Sequence, residues 1–554
     1  MKNYDERIKK QEAVKAYENS GKSQRELALE LGIERTTLQY WIEKKNQIDA
    51  EPELIEFFES AVGLAFLHRL IIAMQFVITM QGTGSVRTVC SLLELSGLDQ
   101  FVASSYGSQR AVTVEMEEAV VGYGEAEEKR LGAEMERKKI GLIEDETFHK
   151  KDHPCLVGME PVSNYIVLEE YAPNRKAETW TERLDASLNG LNVEVIQVTS
   201  DEAKALCSHI QKDLGVHQSP DVFHVQHTLC KGMSAPLASR VRKSGKAVEE
   251  AQKKVAKEQL AQEKYIESVP KPAGRPRNFE KYIAEAQQQQ AIKQSELDAA
   301  TERKSQAKET IRGISECYHP YDLETGEPRD AECVSKSLET HFDTLETIAT
   351  DASLPVRSFQ NIRKARRVLT KMVATIAFFF LNVQAKVEAL TLTPEQEHAL
   401  YNTLIPAIYL QIVADKADTA ETRRTLHLRS QQLLQPLLEP DSPLASLSPD
   451  DKQLVESVAT ECAQLFQRSS SCVEGRNGQL ALHHHSLHRI SPRKLSALTV
   501  VHNFFITRPD GSTPAQRLFG SDPRNLFDYL LQHVDLPPRP AKKRPPPDPV
   551  SLLS

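Results

Sequence analysis

The sequence predicts a multidomain α/β plus α protein, in which one segment forms a mixed β-sheet and the rest of the chain is helical. Three observations lead to this fold class. The first 137 residues show helical periodicity, short β-rich runs cluster between residues 138 and 226, and residues 234–438 show almost no strand pattern. A chain of 554 residues is long enough for several domains of this kind.

The N-terminal segment has the pattern of three short helices, at residues 12–19, 24–31 and about 35–45. Ser23 and Glu26 form the sequence signature of a capping box at the start of the second helix, and Gly32 ends it. Apolar residues on both sides of the glycine turn are spaced to pack two helices against each other. This is the spacing of a helix-turn-helix, whose third helix would read the major groove of DNA. Its outward residues would be Arg35, Thr36, Thr37, Gln39 and Tyr40.

The same pattern also fits a small helical bundle that binds protein, and the positive and negative charges of this segment nearly balance. The following residues 51–137 are helical and richer in apolar side chains. Residues 85–105 contain a weaker candidate for a second helix-turn-helix, for which a helical packing or dimerisation unit is an equal alternative.

The β-rich segment begins near residue 138 and has the order β-β-β-α-β-α-β, which indicates a mixed sheet covered by helices. Its strands are predicted at residues 139–145, 155–160, 165–170, 193–198 and 221–226. Asp145 ends the first strand, and Asp201 closely follows the fourth. Two carboxylates at strand ends can share a site, and hard divalent cations such as Mg²⁺ prefer oxygen ligands. An Asp at such a position is also a common helix cap or turn residue.

A third carboxylate candidate lies far along the chain. Glu474 opens a helical segment, and Arg476 and Asn477 next to it are candidates for binding phosphate. The histidines at 483–485 and 488 follow, as candidates for DNA contact or as a solvated helix face. His224 is a further candidate for phosphate contact beside the acids.

These residues resemble the DDE transposases of bacterial insertion sequences, which have an RNase H-like catalytic core. The resemblance covers residues 1–46, about 138–230 and about 465–520, including the segment Leu-Ser-Ala-Leu-Thr-Val-Val-His-Asn-Phe-Phe near the end. It implies that Asp145, Asp201 and Glu474 are the catalytic residues and hold Mg²⁺ or Mn²⁺, as two ions. It also implies double-stranded DNA, both transposon ends and target, as partner, and a homodimer or higher synaptic complex. Asp201 and Glu474 are 273 positions apart, so a large helical insertion would split the core.

The predicted domains follow from these assignments. They are a helix-turn-helix domain at 1–50, a helical domain at 51–137, the first part of the RNase H-like core at 138–233, a helical insertion with a coiled-coil-like arm at 234–464, the rest of the core at 465–536, and a disordered, Pro-rich basic tail at 537–554. Within the arm, the Gly-Arg-Pro-Arg string at 274–277 fits a plain turn between helices better than a minor-groove hook.

Composition narrows the class of protein further. The net charge of −8 argues against a uniformly basic nucleic-acid coat but leaves room for a local basic face. Residues 61–80 have the length of a membrane span, but His68 and Arg69 lie in their middle, so we expect a core helix and no membrane. Scattered cysteines and the lack of a secretory signal favour a cytoplasmic protein, and the resemblance implies that it is bacterial and associated with the nucleoid.

Other site chemistries have less support. No phosphate-binding loop for ATP is present. His149, Asp152 and His153, or His224 and His227, lack the partners of a zinc site. Two alternatives to a transposase stay open: a non-catalytic helix-turn-helix regulator derived from a transposase, and a scaffold protein built on the long helical arm.

Overall fold

The computed structural model describes residues 2–148, 153–270, 272, 274–487 and 489–540. The described chain is mostly helical, with one five-stranded sheet. It divides into two compact units, residues 1–195 with 471–554 and residues 196–470, each of which has its own core.

The main helices and strands of the described chain have the following bounds. The first helices are α1 (Lys2–Ser20), α2 (Gln24–Glu30), α3 (Arg35–Lys45), α4 (Pro52–Phe58), α5 (Ala61–Phe76), α6 (Val86–Leu95) and α7 (Tyr106–Glu134). The β-rich segment consists of β1 (Lys138–Thr147), β2 (Cys155–Glu160), β3 (Tyr165–Tyr171), α8 (Ala177–Leu188), β4 (Val193–Ser200), α9 (Lys204–Ser208) and β5 (His217–Pro220). The long helical region contains α10 (Val222–Glu267), α11 (Phe279–Cys317), α12 (Ala331–Asp351), α13 (Val356–Arg366), α14 (Leu369–Glu388), α15 (Pro394–Ala399), α16 (Ile405–Asp415), α17 (Ala420–Leu434) and α18 (Pro449–Gln464). The chain continues with α19 (Ser471–Leu487), α20 (Pro492–Phe504), α21 (Pro514–Phe519) and α22 (Leu526–His533).

The three N-terminal helices pack around a small core of their own. Leu27, Ala28 and Leu38 are buried there against residues of α1. The predicted capping box is present: the Ser23 hydroxyl accepts a hydrogen bond from the Glu26 backbone, and the Glu26 carboxylate accepts one from the Ser23 backbone. Helix α1 is longer than predicted, since it begins at Lys2, and Arg7 in its first half is buried. The bounds of α3 are those predicted.

Helices α5 and α7 form the helical body of the first unit together with α20 and α22. Met116, Val120 and Tyr123 of α7 lie in one apolar cluster with Ala497 of α20 and Leu530 of α22. The segment predicted as a possible second helix-turn-helix contains α6 and a short turn, and its Val89, Leu93, Phe101 and Val102 are buried in the adjoining cluster. This burial favours the packing interpretation of residues 85–105.

The sheet has the strand order β3-β2-β1-β4-β5, and β4 crosses the boundary between the two units. Strands β1 and β2 are antiparallel, as are β2 and β3, whereas β4 and β5 are parallel. The prediction of the fifth strand at residues 221–226 was wrong, because β5 ends at Pro220 and α10 begins at Val222. Val222, Val225 and Leu229 are buried at helical spacing, so the apolar run belongs to a helix.

The second unit contains a long hairpin of two helices, in the region that was predicted to form a coiled-coil-like arm. Helices α10 and α11 run side by side, and the predicted interruption at 270–276 falls between them. Near the tip of the hairpin the rings of Tyr265 and Phe279 lie 5.3 Å apart. The remaining helices of this unit pack around one large core, which contains Leu338, Phe342 and Phe379.

Two stretches, Ala61–Gln81 and Val356–Glu388, have the length and apolar composition of a membrane span. Each buries one face in its own unit: Leu64, Leu67 and Ile71 in the first, Met372 and Ile376 in the second. Such partial burial is typical of core helices in a soluble protein.

The start of the predicted disordered tail is ordered. The Pro538 carbonyl accepts a hydrogen bond from the Ala103 backbone at 2.8 Å, and Arg539 forms an ion pair with Glu59. Just before it, the Asp535 carboxylate accepts hydrogen bonds from the backbone of Asn3 and Tyr4 and so caps the start of α1. Residues 541–554, the rest of the predicted tail, lie outside the described residues.

Candidate active site

Asp145 lies near the end of β1, paired with Val157 of β2. Its side chain is half-buried, whereas the neighbouring Glu144 is fully buried. One carboxylate oxygen, Oδ1, accepts a hydrogen bond from the Glu146 backbone at 2.8 Å. The other, Oδ2, accepts one from Nδ2 of Asn477 at 3.4 Å.

Glu146, the other acidic neighbour, is engaged in contacts that hold the surrounding structure. Its carboxylate accepts hydrogen bonds from the Trp180 indole and from the Arg175 guanidinium, both at 3.2 Å. Of these neighbouring acids, Asp145 is therefore the one that combines partial exposure with a contact to α19.

Glu474 lies in the first turn of α19 and is half-buried. The next-door residue Val473 packs in one apolar cluster with Ile143 of β1 and Val157 of β2, so this helix lies on the sheet. Asn477 is one helical turn beyond Glu474, and its contact with Asp145 joins residues 332 positions apart. The fold thus brings together the elements that carry the first and third predicted acids, both within the first unit.

Arg476 does not point outward as a phosphate ligand would. Its Nε and Nη2 donate hydrogen bonds to the two carboxylate oxygens of Glu169 on β3, at 2.8 and 2.6 Å. Thr499 donates a third hydrogen bond to this carboxylate at 2.6 Å. The side chains of Arg476 and Glu169 are 6% and 0% exposed. This geometry favours a positioning role for Arg476, which fastens α19 to the sheet, over the predicted phosphate contact.

The histidines of α19 divide between the two faces of the helix. His483 is buried, and burial, followed by the charges of Lys494 and Arg476, lowers its pKa to about 4. His484 contacts the Tyr171 hydroxyl at 3.0 Å, while His485 is exposed. His488 lies outside the described residues, as do His149 and Asp152. The interpretation of this run as a DNA-contacting face is therefore restricted to its exposed members.

Asp201 belongs to the second unit and directly follows β4. Its side chain is half-buried and accepts a hydrogen bond from the Ala203 backbone at 2.8 Å. It lines a cavity of about 330 Å³. The ionisable side chains around this cavity are Asp201, Glu202, Asp221, His224, Lys364 and Arg367. Acids and bases thus meet in one cleft, as a site that handles a phosphate group and a cation would need.

Asp221 and His224 of this cleft are held in place by a set of hydrogen bonds. Asp221 is 2% exposed and caps α10 by accepting a hydrogen bond from the Phe223 backbone at 2.8 Å. Its second oxygen accepts hydrogen bonds from His224 Nδ1 at 2.8 Å and from Ser470 Oγ at 2.5 Å. A carboxylate in this position selects the tautomer that carries the proton on Nδ1 and orients the ring.

Asp221 was not among the predicted site residues, because residues 221–226 were predicted to form a strand, whereas α10 begins at Val222. The available signal was an N-capping Asp with a His three residues later, which places both side chains together at a helix start. Nothing local indicated that Lys364 and Arg367, about 140 positions away, would line the same cavity.

The side chains predicted to read DNA lie on the outer side of α3. Arg35, Thr36 and Tyr40 are exposed, and Thr37 and Gln39 are half-buried. Gln39 donates a hydrogen bond to Glu43 one turn later, and the Lys44 ammonium lies 5.8 Å from the Tyr40 ring centroid. Leu38 between them is fully buried, so the helix divides into an inner apolar face and an outer polar face.

No group of three His, Cys, Asp or Glu side chains placed to hold a metal ion occurs among the residues that the structure describes. The donor chemistry of Asp145, Asp201 and Glu474 nevertheless fits Mg²⁺ or Mn²⁺, because all three are carboxylates with partial solvent exposure.

A family of unknown function, DUF6399, matches residues 400–546, about a quarter of the chain. The matched segment includes α19 with Glu474, Arg476 and Asn477. No curated protein and no solved structure gives a significant match.

Proposed function

We propose that the chain is a DDE-type DNA transposase, which catalyses metal-dependent cleavage and strand transfer at the ends of an insertion sequence. The observation that carries the proposal is the contact between Asn477 and Asp145. It joins the turn of α19 that begins at Glu474 to the strand end that carries the first predicted acid, across a very long separation in sequence.

The sheet and the second unit add support. A mixed five-stranded sheet suits the proposed RNase H-like core, in which one acid lies on the first strand and another follows the fourth. Asp145 and Asp201 occupy those positions in the strand sequence. The cavity beside Asp201 also contains His224, Lys364 and Arg367, which suit the binding of an anionic phosphate.

In this proposal Asp145, Asp201 and Glu474 hold Mg²⁺ or Mn²⁺. Two such ions would supply activation of a water molecule and stabilisation of the leaving oxygen in phosphodiester cleavage. Buried Asp221 would hold His224 in position to contact a phosphate oxygen. Water would attack the phosphorus at the transposon end and release a 3′-hydroxyl. That hydroxyl would then attack a target phosphodiester and displace the target's own 3′-oxygen.

The N-terminal helices would recognise the transposon end as a helix-turn-helix domain. The exposed side chains of α3, foremost Arg35, Thr36 and Tyr40, would reach the base edges, and Thr37 and Gln39 would lie at the border of the contact. Pairing of two transposon ends implies a homodimer or larger assembly, with the DNA-bound protein in the bacterial cytoplasm.

The proposal is tested with Asp145→Ala, Asp201→Ala and Glu474→Ala, using the exposed Asp185→Ala on α8 as control. Nicking of a supercoiled plasmid in MgCl₂ or MnCl₂ measures cleavage, and a gel-shift assay measures DNA binding. We expect the three variants to lose cleavage and keep binding, while the control keeps both. Full cleavage by any one variant removes that residue from the site.

The nicking and gel-shift assays, together with calorimetry of Mn²⁺ binding, separate the transposase from its alternative. A folded wild-type chain that binds DNA, but binds no Mn²⁺ by calorimetry and nicks no plasmid, would favour the non-catalytic regulator.

A further inference from the structure

The long hairpin of the second unit has an uneven distribution of charge. Residues 240–264 of α10 contain eight Lys and Arg against four Glu, in a chain whose net charge is −8. Residues 279–303 of the partner helix α11 contain three Lys and Arg against five Asp and Glu. The two helices pack side by side, and Arg277, just before α11, forms an ion pair with Glu258 of α10 at 2.7 Å. One helix of the hairpin is therefore basic and the other is slightly acidic.

Five of the cations follow one line along α10. Arg242, Lys246, Lys253, Lys257 and Lys264 are separated by four, seven, four and seven residues, which is the spacing of a single helix face. All five are exposed. At about 100° per residue, they lie opposite Val248, Ala251 and Val255, which are buried on the other side of the helix. We call these five residues the basic line.

None of the five cations of the basic line forms an ion pair in the described part of the chain, although two acids share this surface. The ion-pair contacts of the hairpin involve other residues, such as Lys293 with Glu296 on α11 at 2.8 Å. Glu249 and Glu250 are the acids in the middle of the line. The line spans 22 positions, about 33 Å of helix, which is close to one turn of duplex DNA at about 34 Å.

We propose that the basic line is a binding surface for the phosphate backbone of duplex DNA. Lysine ammonium groups on long flexible stems contact phosphates as point charges without reading sequence. The five positions contain no aromatic side chain, on which the bases of a single strand would stack. A membrane surface is a poorer fit, because the buried apolar side of α10 is covered by α11, which leaves Leu260 and Ile266 as the exposed large apolar side chains of this half of the helix. The choice of DNA over an acidic protein rests on the proposed function.

The test compares two triple variants that remove the same positive charge. Lys246→Gln/Lys253→Gln/Lys257→Gln removes three members of the basic line. Lys281→Gln/Lys293→Gln/Arg303→Gln is the control on α11. Glutamine keeps the helix propensity of the native residues, and circular dichroism checks that both full-length variants fold. Binding to a fluorescein-labelled 40-base-pair duplex of arbitrary sequence is measured by anisotropy between about 50 and 250 mM KCl.

The slope of log K against log salt is about −0.9 for each phosphate contact, so the slope of the line variant should be less steep than that of the wild type by about 2.7. We expect the control variant to keep the wild-type slope, because a general change of net charge is equal in both. An unchanged slope in the line variant, an equal loss in the control, or no duplex binding by the wild type would overturn the proposal.

Plasmid nicking in MnCl₂ separates this inference from the proposed function. If the line variant loses the expected steepness while the wild type never nicks, the basic line is supported and the nuclease is refuted. A wild type that nicks, while the line variant keeps its slope, refutes the basic line alone.

Discussion

The buried ion pair between Arg476 and Glu169 holds the helix of Glu474 on the sheet, and its contribution can be measured. Glu169→Leu would leave the Arg476 guanidinium buried without its bidentate partner and remove the acceptor of the Thr499 hydroxyl. Removing one member of a buried pair costs about 3–5 kcal/mol, because the remaining charge is not solvated. Arg476→Met should cost a similar free energy of unfolding, since the Glu169 carboxylate is 0% exposed.

The double variant Glu169→Leu/Arg476→Met should be far more stable than the sum of the two single changes predicts. Replacing both charges by apolar side chains of similar size leaves no buried charge, and such replacements are often neutral. The double-mutant cycle should therefore give a coupling free energy of several kcal/mol between the two positions.

Urea denaturation followed by tryptophan fluorescence measures these free energies in the first unit. The chain has two tryptophans, Trp41 and Trp180, and both lie in this unit. A Trp41→Phe background leaves Trp180, which is fully buried beside the sheet, as the single reporter. A cost below about 1 kcal/mol for Glu169→Leu, or additive effects in the double variant, would refute the reasoning.

Two further predictions concern packing and pH in the same unit. On α7, Gly124→Ala would place a methyl group 2.4 Å from a Val500 methyl carbon and should destabilise the unit by about 1–3 kcal/mol in urea denaturation. Gly122→Ala, on the same helix with no atom within 4 Å, should stabilise it by about 0.5–1 kcal/mol, and equal effects at the two sites would contradict this packing. Burial, with Arg476 nearby, lowers the pKa of His502 to about 4, so the unfolded chain takes up this proton first as pH falls. The free energy of unfolding should therefore decrease between about pH 6.5 and 4, by about 3 kcal/mol from this residue, and His502→Asn should remove that part of the pH dependence. Identical pH profiles for the variant and the wild type would contradict the assignment.

The sequence alone was sufficient where the determining contacts lie within a few residues. The capping box of Ser23 and Glu26, the bounds of α3 and the break between α10 and α11 are all confirmed. Each depends on hydrogen bonds to a neighbouring turn, on the conformation of glycine and proline, or on side-chain spacing along one helix. A local pattern also misled: the run at 221–226 is apolar enough for a strand, and only its burial at helical spacing identifies the start of α10.

Tertiary structure decided which distant residues share a site. The sequence marks Asp145 and Glu474 as acids at element ends, but the contact of Asn477 with Asp145 depends on how α19 packs on β1. Arg476 was predicted to bind phosphate. Its neighbours in the sequence do not indicate that it pairs with the Glu169 carboxylate, 307 positions away. The physical reason is that a long-range ion pair depends on the burial and orientation of both partners, and chain folding creates these properties.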